Sequence, residues 1–155
     1  MGGLSEKFSP SPVGAVSILQ TPTGTSSLSG QKPKLKMNKV NIAEKLSLFD
    51  SYWEPKIAGE LNGQYVKLAK FKGEFVWHHH EEEDELFLVI KGELLIKLRD
   101  SEIELNEGEF CIIPKGVEHL PIAEKEVHVL LFEPKNTLNT GNTDSEKTVS
   151  ELDVI

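Results

Sequence analysis

Three consecutive histidines, His78, His79 and His80, stand ahead of four acidic residues and then Glu85, which heads the apolar run 86–90. Neutral imidazoles and carboxylates are the donors that divalent first-row metals take. In an extended chain alternate side chains point to opposite faces, so His78 and His80 share a face and His79 takes the other. Glu85, at the mouth of the next apolar segment, can turn inward beside them, with Asp84 as its nearest competitor. A second segment, 108–119, carries an apolar stretch, a turn at Pro114 and Gly116, and His119 three residues later. His119 is the natural fourth donor. By the same parity His79 reads as a surface or interface residue, and Glu81, Glu82 and Glu83 as a solvated turn.

The two segments resemble the paired motifs of the cupin superfamily, small β-barrel metalloproteins that include the germins. The first motif is matched by His78, His80, Glu85 and Gly92, and the second by Gly108, Pro114, Gly116 and His119, with fifteen residues between Gly92 and Gly108. Two positions depart from the pattern. Four residues separate Gly73 from His78 where the family has five, and Ala123 stands where the second motif usually ends in Asn. Neither position supplies a metal ligand in the family.

The resemblance implies a cupin-type jelly-roll barrel, also called a double-stranded β-helix, holding a divalent transition metal (iron, manganese, nickel or zinc) on His78, His80, Glu85 and His119. Such a donor set leaves two positions open on an octahedral ion, which suits Lewis-acid chemistry, a bound hydroxide, or oxygen activation if the metal is iron. Two function classes follow. One is a metal-dependent enzyme acting on a small sugar or organic-acid metabolite, of isomerase, lyase or dioxygenase type; the other is a non-catalytic barrel that binds metal or a small ligand. Many small cupins are described as resembling mannose-6-phosphate isomerase, a likeness of the barrel and not of the substrate. No second catalytic group stands out: Glu118 reads as a surface acid, His128 as a structural residue on a strand, and Cys111 as a small hydrophobe within an apolar strand.

The elements that must position these donors are short. Asn41 and Glu44 form a capping-box-like start, with Ile42, Leu46 and Phe49 on one helical face, so a short helix precedes the barrel. Trp53 and Pro55 lie in an irregular segment, and Asn62-Gly63 is a hairpin-turn signal. Strands are predicted over 65–71, 74–80, 85–91, 93–99, 102–105, 110–113, 119–122 and 126–133, an all-β chain of eight strands. If Glu85, Phe87 and Val89 face inward, Leu86, Leu88 and Ile90 form an apolar outer face that needs a cover, from the N-terminal helix, a second sheet or another subunit; the resemblance to cupins implies the last, in a homodimer.

A chain of 155 residues with 38% hydrophobic composition suits one domain. Residues 1–36, rich in Ser, Thr, Gly and Pro, read as a disordered leader with Met37 as a plausible start; 37–135 is the barrel, and 136–155 a polar tail. Residues 137–142 fit either a plain tail or a segment folded over the barrel mouth, and 143–155 read as solvated and frayed. The leader carries +3, while the remainder holds 13 basic and 24 acidic residues. So acidic a domain is a poor nucleic-acid binder. No apolar run reaches 18 residues, which speaks against a membrane span. The lone cysteine permits no intrachain disulfide and suits a reducing, cytoplasmic setting.

Overall fold

The protein is described here by a computed structural model covering residues 38–155. The predicted leader and Met37 lie outside the described residues. Helix α1 (Ile42–Leu46) opens the described chain, capped by the Asn41 side chain, which accepts from the Glu44 backbone N–H at 3.3 Å. It is only five residues long, so Phe49 falls beyond it, and Leu46 alone is buried from its apolar face.

Seven strands follow: β1 (Lys56–Leu61), β2 (Gln64–Glu74), β3 (Glu85–Lys91), β4 (Leu94–Leu98), β5 (Glu102–Leu105), β6 (Phe110–Ile113) and β7 (His119–Pro134). All pairings are antiparallel, in the order β1-β2-β7-β3-β6, with β4 bridging β5 and β7. The fold is the all-β jelly-roll barrel with a short N-terminal helix that the sequence led us to expect. Asn62 and Gly63 both take positive φ (52° and 80°), as a type I′ hairpin between β1 and β2 requires.

The strand count differs from the expected eight in three places. Residues 119–122 and 126–133 belong to one strand, because the exposed Glu124-Lys125-Glu126 stretch is no turn; there β7 passes from β4 to β3 as neighbour while β2 follows its other edge. Strand β1 was not anticipated, since 56–61 lacks alternation. Residues 75–80 form no regular strand, and a single bridge joins His78 to His119.

Period-two alternation builds the core. In β3, Glu85, Phe87 and Val89 are buried, whereas Leu86, Leu88 and Ile90 are half-buried. Along β7, Val127, Val129, Leu131 and Glu133 take the buried positions. Fully burying a Phe or Val side chain contributes roughly 1.5–3 kcal/mol, so this parity holds the register of the wall that carries Glu85.

The C-terminal residues are not frayed. Asp153 and Ile155 hydrogen-bond to Ile57 of β1 at 2.8 and 2.9 Å, and Val154 makes a parallel bridge to it, so the chain end covers a sheet edge that would otherwise stand open.

Candidate metal centre

His119 begins β7, and its backbone exchanges hydrogen bonds with His78 at 3.1 and 2.9 Å, which brings the two motif segments side by side. Residues 75–80 stay extended, so parity applies: His78 and His80 are 2% and 4% exposed, and the His79 ring lies outside, bonded to Glu81 at 2.8 Å. Glu85 starts β3 on the inner face. The structure thus brings together the four residues read from the sequence, one ligand atom from each lying within 4.8 Å of the others. His78, His80, Glu85 and His119 could hold a metal ion.

The hydrogen bonds orient the rings. His78 Nδ1–H donates to the Val76 carbonyl at 3.0 Å and His119 Nδ1–H to the Val117 carbonyl at 2.9 Å, which leaves each Nε2 lone pair aimed at the cluster. Glu85 Oε2 lies 3.1 Å from His80 Nε2 and 3.4 Å from His119 Nε2. Adjacent donors on an ion with bonds of about 2.1 Å stand roughly 3 Å apart, so these separations fit a shared ion. His119 Nε2 is buried with no hydrogen-bond partner, an orphan that a metal would satisfy. Phe75 meets His78 edge-on at 5.2 Å and Phe87 lies 5.9 Å from the His119 ring, bracing both.

Electrostatics prepares the donors. Burial, aided by His119, pushes the His78 imidazole down to about 4. Burial works to raise Glu85, but the close His119 ring at 3.4 Å and the His80 hydrogen bond outweigh it and hold the carboxyl at about 2. Burial also opposes charge on His80, and the Glu85 hydrogen bond overcomes it, so this imidazole is raised.

The remaining candidates lie elsewhere. Asp84 accepts from the Lys115 backbone at 2.9 Å and does not join the cluster. Glu118 forms a two-pronged pair with Arg99 at 2.8 and 3.1 Å on the surface, and His128 bonds Glu126 outside the barrel. The Cys111 thiol is pushed up to about 11 by burial, away from thiolate chemistry.

Two features escaped the sequence reading, and a third concerns a segment for which it left two alternatives open. Lys67 and Glu133 form an ion pair at 2.8 Å with both side chains at most 1% exposed, inside the barrel. Burial and the nearby Glu85 carboxylate push Glu133 up to about 7 against the pull of Lys67. The parity of β7 carried the signal, since Glu133 continues the inward series. Trp53, the second feature, takes φ 63° and stacks on Phe71 and Phe75 at 4.3 and 4.9 Å. A bulky residue rarely adopts positive φ, at a cost of order 1–3 kcal/mol, and neighbouring bonds from its backbone and indole to Lys70 and Lys72 carbonyls hold it there. Trp53, Phe71, Phe75 and Phe87 wall a cavity of about 20 Å³ against His78 and Glu85. The third feature is the segment after β7, which folds back against residues 77–79.

A small jelly-roll barrel that turns three imidazoles and one carboxylate into its interior defines a class of barrels built to offer a metal site. The Cupin domain family matches residues 64–133, and a cupin-2 domain containing protein of Shewanella frigidimarina shares 46% identity with a TM-score of 0.61 over 62% of this chain and 94% of its own. The chain belongs to the cupin superfamily. It is 49% identical over 61 residues to the uncharacterized protein YdbB of Bacillus subtilis, covering 39% of this chain and 54% of that protein. The chain spans about half the length of the curated relatives it matches first. A hydroquinone 1,2-dioxygenase of Sphingomonas shares the fold, with a TM-score of 0.55 at 18% identity over 61% of this chain and 32% of the enzyme. Among the described residues no helix is long and apolar enough to cross a membrane.

Proposed function

We propose that the protein is a divalent-metal-dependent cupin enzyme acting on a small metabolite, with His78, His80, Glu85 and His119 as the ligands. One observation carries the reading: four buried donors converge, with the orphaned His119 Nε2 among them, beside a small aromatic-lined cavity. A bound divalent metal would supply Lewis acidity or, as iron, oxygen activation. The chain's own residues do the rest. Val76 and Val117 carbonyls fix two ring tautomers, Glu85 supplies the negative charge, and four aromatic rings line the adjoining cavity.

Of the isomerase, lyase and dioxygenase types, the wall favours the last. No lysine or arginine lines the cavity, whereas four aromatic rings do, which suits an apolar or planar substrate better than a phosphorylated sugar. The kinship in fold with a hydroquinone dioxygenase is compatible with that choice and does not carry it.

A second reading, a non-catalytic metal- or ligand-binding barrel, is favoured by the size of the cavity, which holds about one water. Elemental analysis of protein purified without chelators or a histidine tag separates the two. Near-stoichiometric iron with substrate-dependent oxygen consumption supports the dioxygenase, nickel, manganese or zinc directs the search to isomerase and lyase assays, and bound metal without turnover in any of them moves the binding barrel ahead.

The outer face of β3, β6 and β7 supports a homodimer. Leu86, Leu88, Leu130 and Phe132 lie there half-buried, and Phe110 and Ile112 of the edge strand β6 are 59% and 54% exposed. A contiguous apolar face of this kind fits an isologous contact. The single half-buried cysteine is in keeping with a cytoplasmic setting.

A further inference from the structure

In an extended segment, successive residues direct their backbone N–H and C=O groups to opposite edges. His78 uses its pair on His119, and the His80 carbonyl accepts from Gly116 at 2.7 Å on that same side. The peptide groups of His79 therefore face the other edge, where no strand of the sheet runs. Buried or half-buried backbone groups there need partners.

The partner is the segment after β7. Asn142 N–H donates to the His79 carbonyl at 3.0 Å, and the Asn142 side-chain Oδ1 accepts from His79 N–H at 3.0 Å. One asparagine thus reproduces both bonds of a ladder pair, its amide oxygen standing in for a backbone carbonyl. Thr143 Oγ1–H donates to the Trp77 carbonyl at 2.9 Å, extending the contact by one pairing step.

Gly141 makes the approach feasible. A Cβ at this position would lie 2.1 Å from the His79 carbonyl oxygen and 3.2 Å from His80 Nδ1, and its φ of +50° disfavours a side chain as well. The segment is itself anchored. Asn139 bonds the Trp53 carbonyl, the Lys147 carbonyl and the Val149 N–H, and the Thr140 and Thr148 hydroxyls meet at 2.7 Å.

We propose that Asn142, admitted by Gly141, is a positioning residue for the metal centre: it acts as a surrogate strand that fixes the His79 peptide groups and thereby the direction in which His78 and His80 present their rings. The inference rests on the reading of those histidines as metal ligands. Groups that hold metal ligands in place without touching the ion typically contribute 10–100-fold in affinity. Asn139, on the same segment, lines the cavity beside Trp53, so one element braces the ligands and walls the space next to them.

The test is zinc affinity of the full chain, measured by competition with a chromogenic chelator, together with the visible spectrum of the cobalt-loaded form. Wild type is measured first; if it binds neither ion, the metal reading fails and this inference with it. Given binding by wild type, Asn142→Ala should weaken zinc 10–100-fold and alter the cobalt spectrum, while Asn142→Asp, which keeps an acceptor for His79 N–H, should stay within threefold of wild type. Thr143→Ala and its rescue by Thr143→Ser give the same comparison should Asn142→Ala fail to fold. Zinc affinity within threefold of wild type in the alanine variants, or conservative variants as weak as the alanines, overturns the proposal and leaves the segment a structural tail.

Discussion

Parity within residues 78–80 yields a sharp test, because two adjacent alanine substitutions should behave oppositely toward metal. A ligand that binds only the folded state stabilises it by about 2.7 kcal/mol at a hundred times its dissociation constant. For a domain of this size a kcal/mol moves the melting temperature by about 4 °C, so zinc should raise wild-type Tm by about 10 °C. His79 offers the cluster nothing: its Nε2 is bonded to Glu81 outside the barrel, and alanine keeps the backbone groups that Asn142 binds. His79→Ala should therefore retain nearly the full rise. His80 Nε2 lies within the cluster, 3.1 Å from Glu85. If its loss weakens zinc a hundredfold, the same zinc concentration adds only about 0.4 kcal/mol, a shift of about 2 °C. The assay is a thermal melt of each variant with and without zinc, and the quantity compared is each variant's own difference, since either substitution also changes the metal-free baseline. Equal zinc-dependent shifts in the two variants would refute the assignment of faces.

Acid stability carries a second signature. Lowered to about 4, His78 contributes stability that is full above its ordinary value near 6.5 and is lost as pH falls through 4, about 3 kcal/mol for the metal-free protein. Glu133, raised to about 7, works with the opposite sign, since its contribution is lost as pH climbs from the ordinary carboxylate value of 4.5 through 7. The two offset between about pH 4.5 and 6.5, so urea midpoints should be nearly flat there in wild type and rise as pH rises in Glu133→Gln, where only the His78 contribution remains; a flat profile in that variant contradicts the account. Lys67→Met should cost about 3–5 kcal/mol in denaturant unfolding, because it strands the Glu133 carboxyl in the core, whereas Lys67→Met with Glu133→Leu should recover most of the loss; equal destabilisation by single and double variants counts against a paired charge. Phe110→Lys combined with Ile112→Lys should convert dimer to monomer in sedimentation while leaving monomer stability within about 1 kcal/mol, since both side chains are largely exposed; a monomeric wild type ends that reading.

The four donors were legible because each sits in a local pattern: a period-two alternation at His78 and His80, a strand mouth at Glu85, and a turn three residues before His119. The inner and outer faces of β3 followed from the same alternation. Strand count was less legible, since Glu124-Lys125-Glu126 has the composition of a turn and yet is a solvent-facing stretch of a strand that changes neighbours. What no local pattern reveals is contact across sixty residues or more. The run 137–142 is polar and turn-rich whether it trails into water or docks, and only the three-dimensional position of the His79 peptide groups decides the matter. Likewise the positive φ of Trp53 depends on carbonyls of Lys70 and Lys72 and on Asn139, none of them near it in sequence.

The protonation pattern of the cluster also explains how a barrel can hold four polar side chains in an apolar wall before any metal arrives. Metal ligands must be deprotonated to bind, and burial has already made His78 neutral while neighbouring hydrogen bonds keep Glu85 ionised. The uncompensated negative charge on Glu85 would be costly in this setting. His80, the imidazole whose proton affinity rises, supplies the compensation through its 3.1 Å contact with Glu85. A divalent ion at the cluster would take over that compensating role. With His78 neutral and Glu85 ionised, both would already be in the protonation states that a divalent ion requires of its ligands.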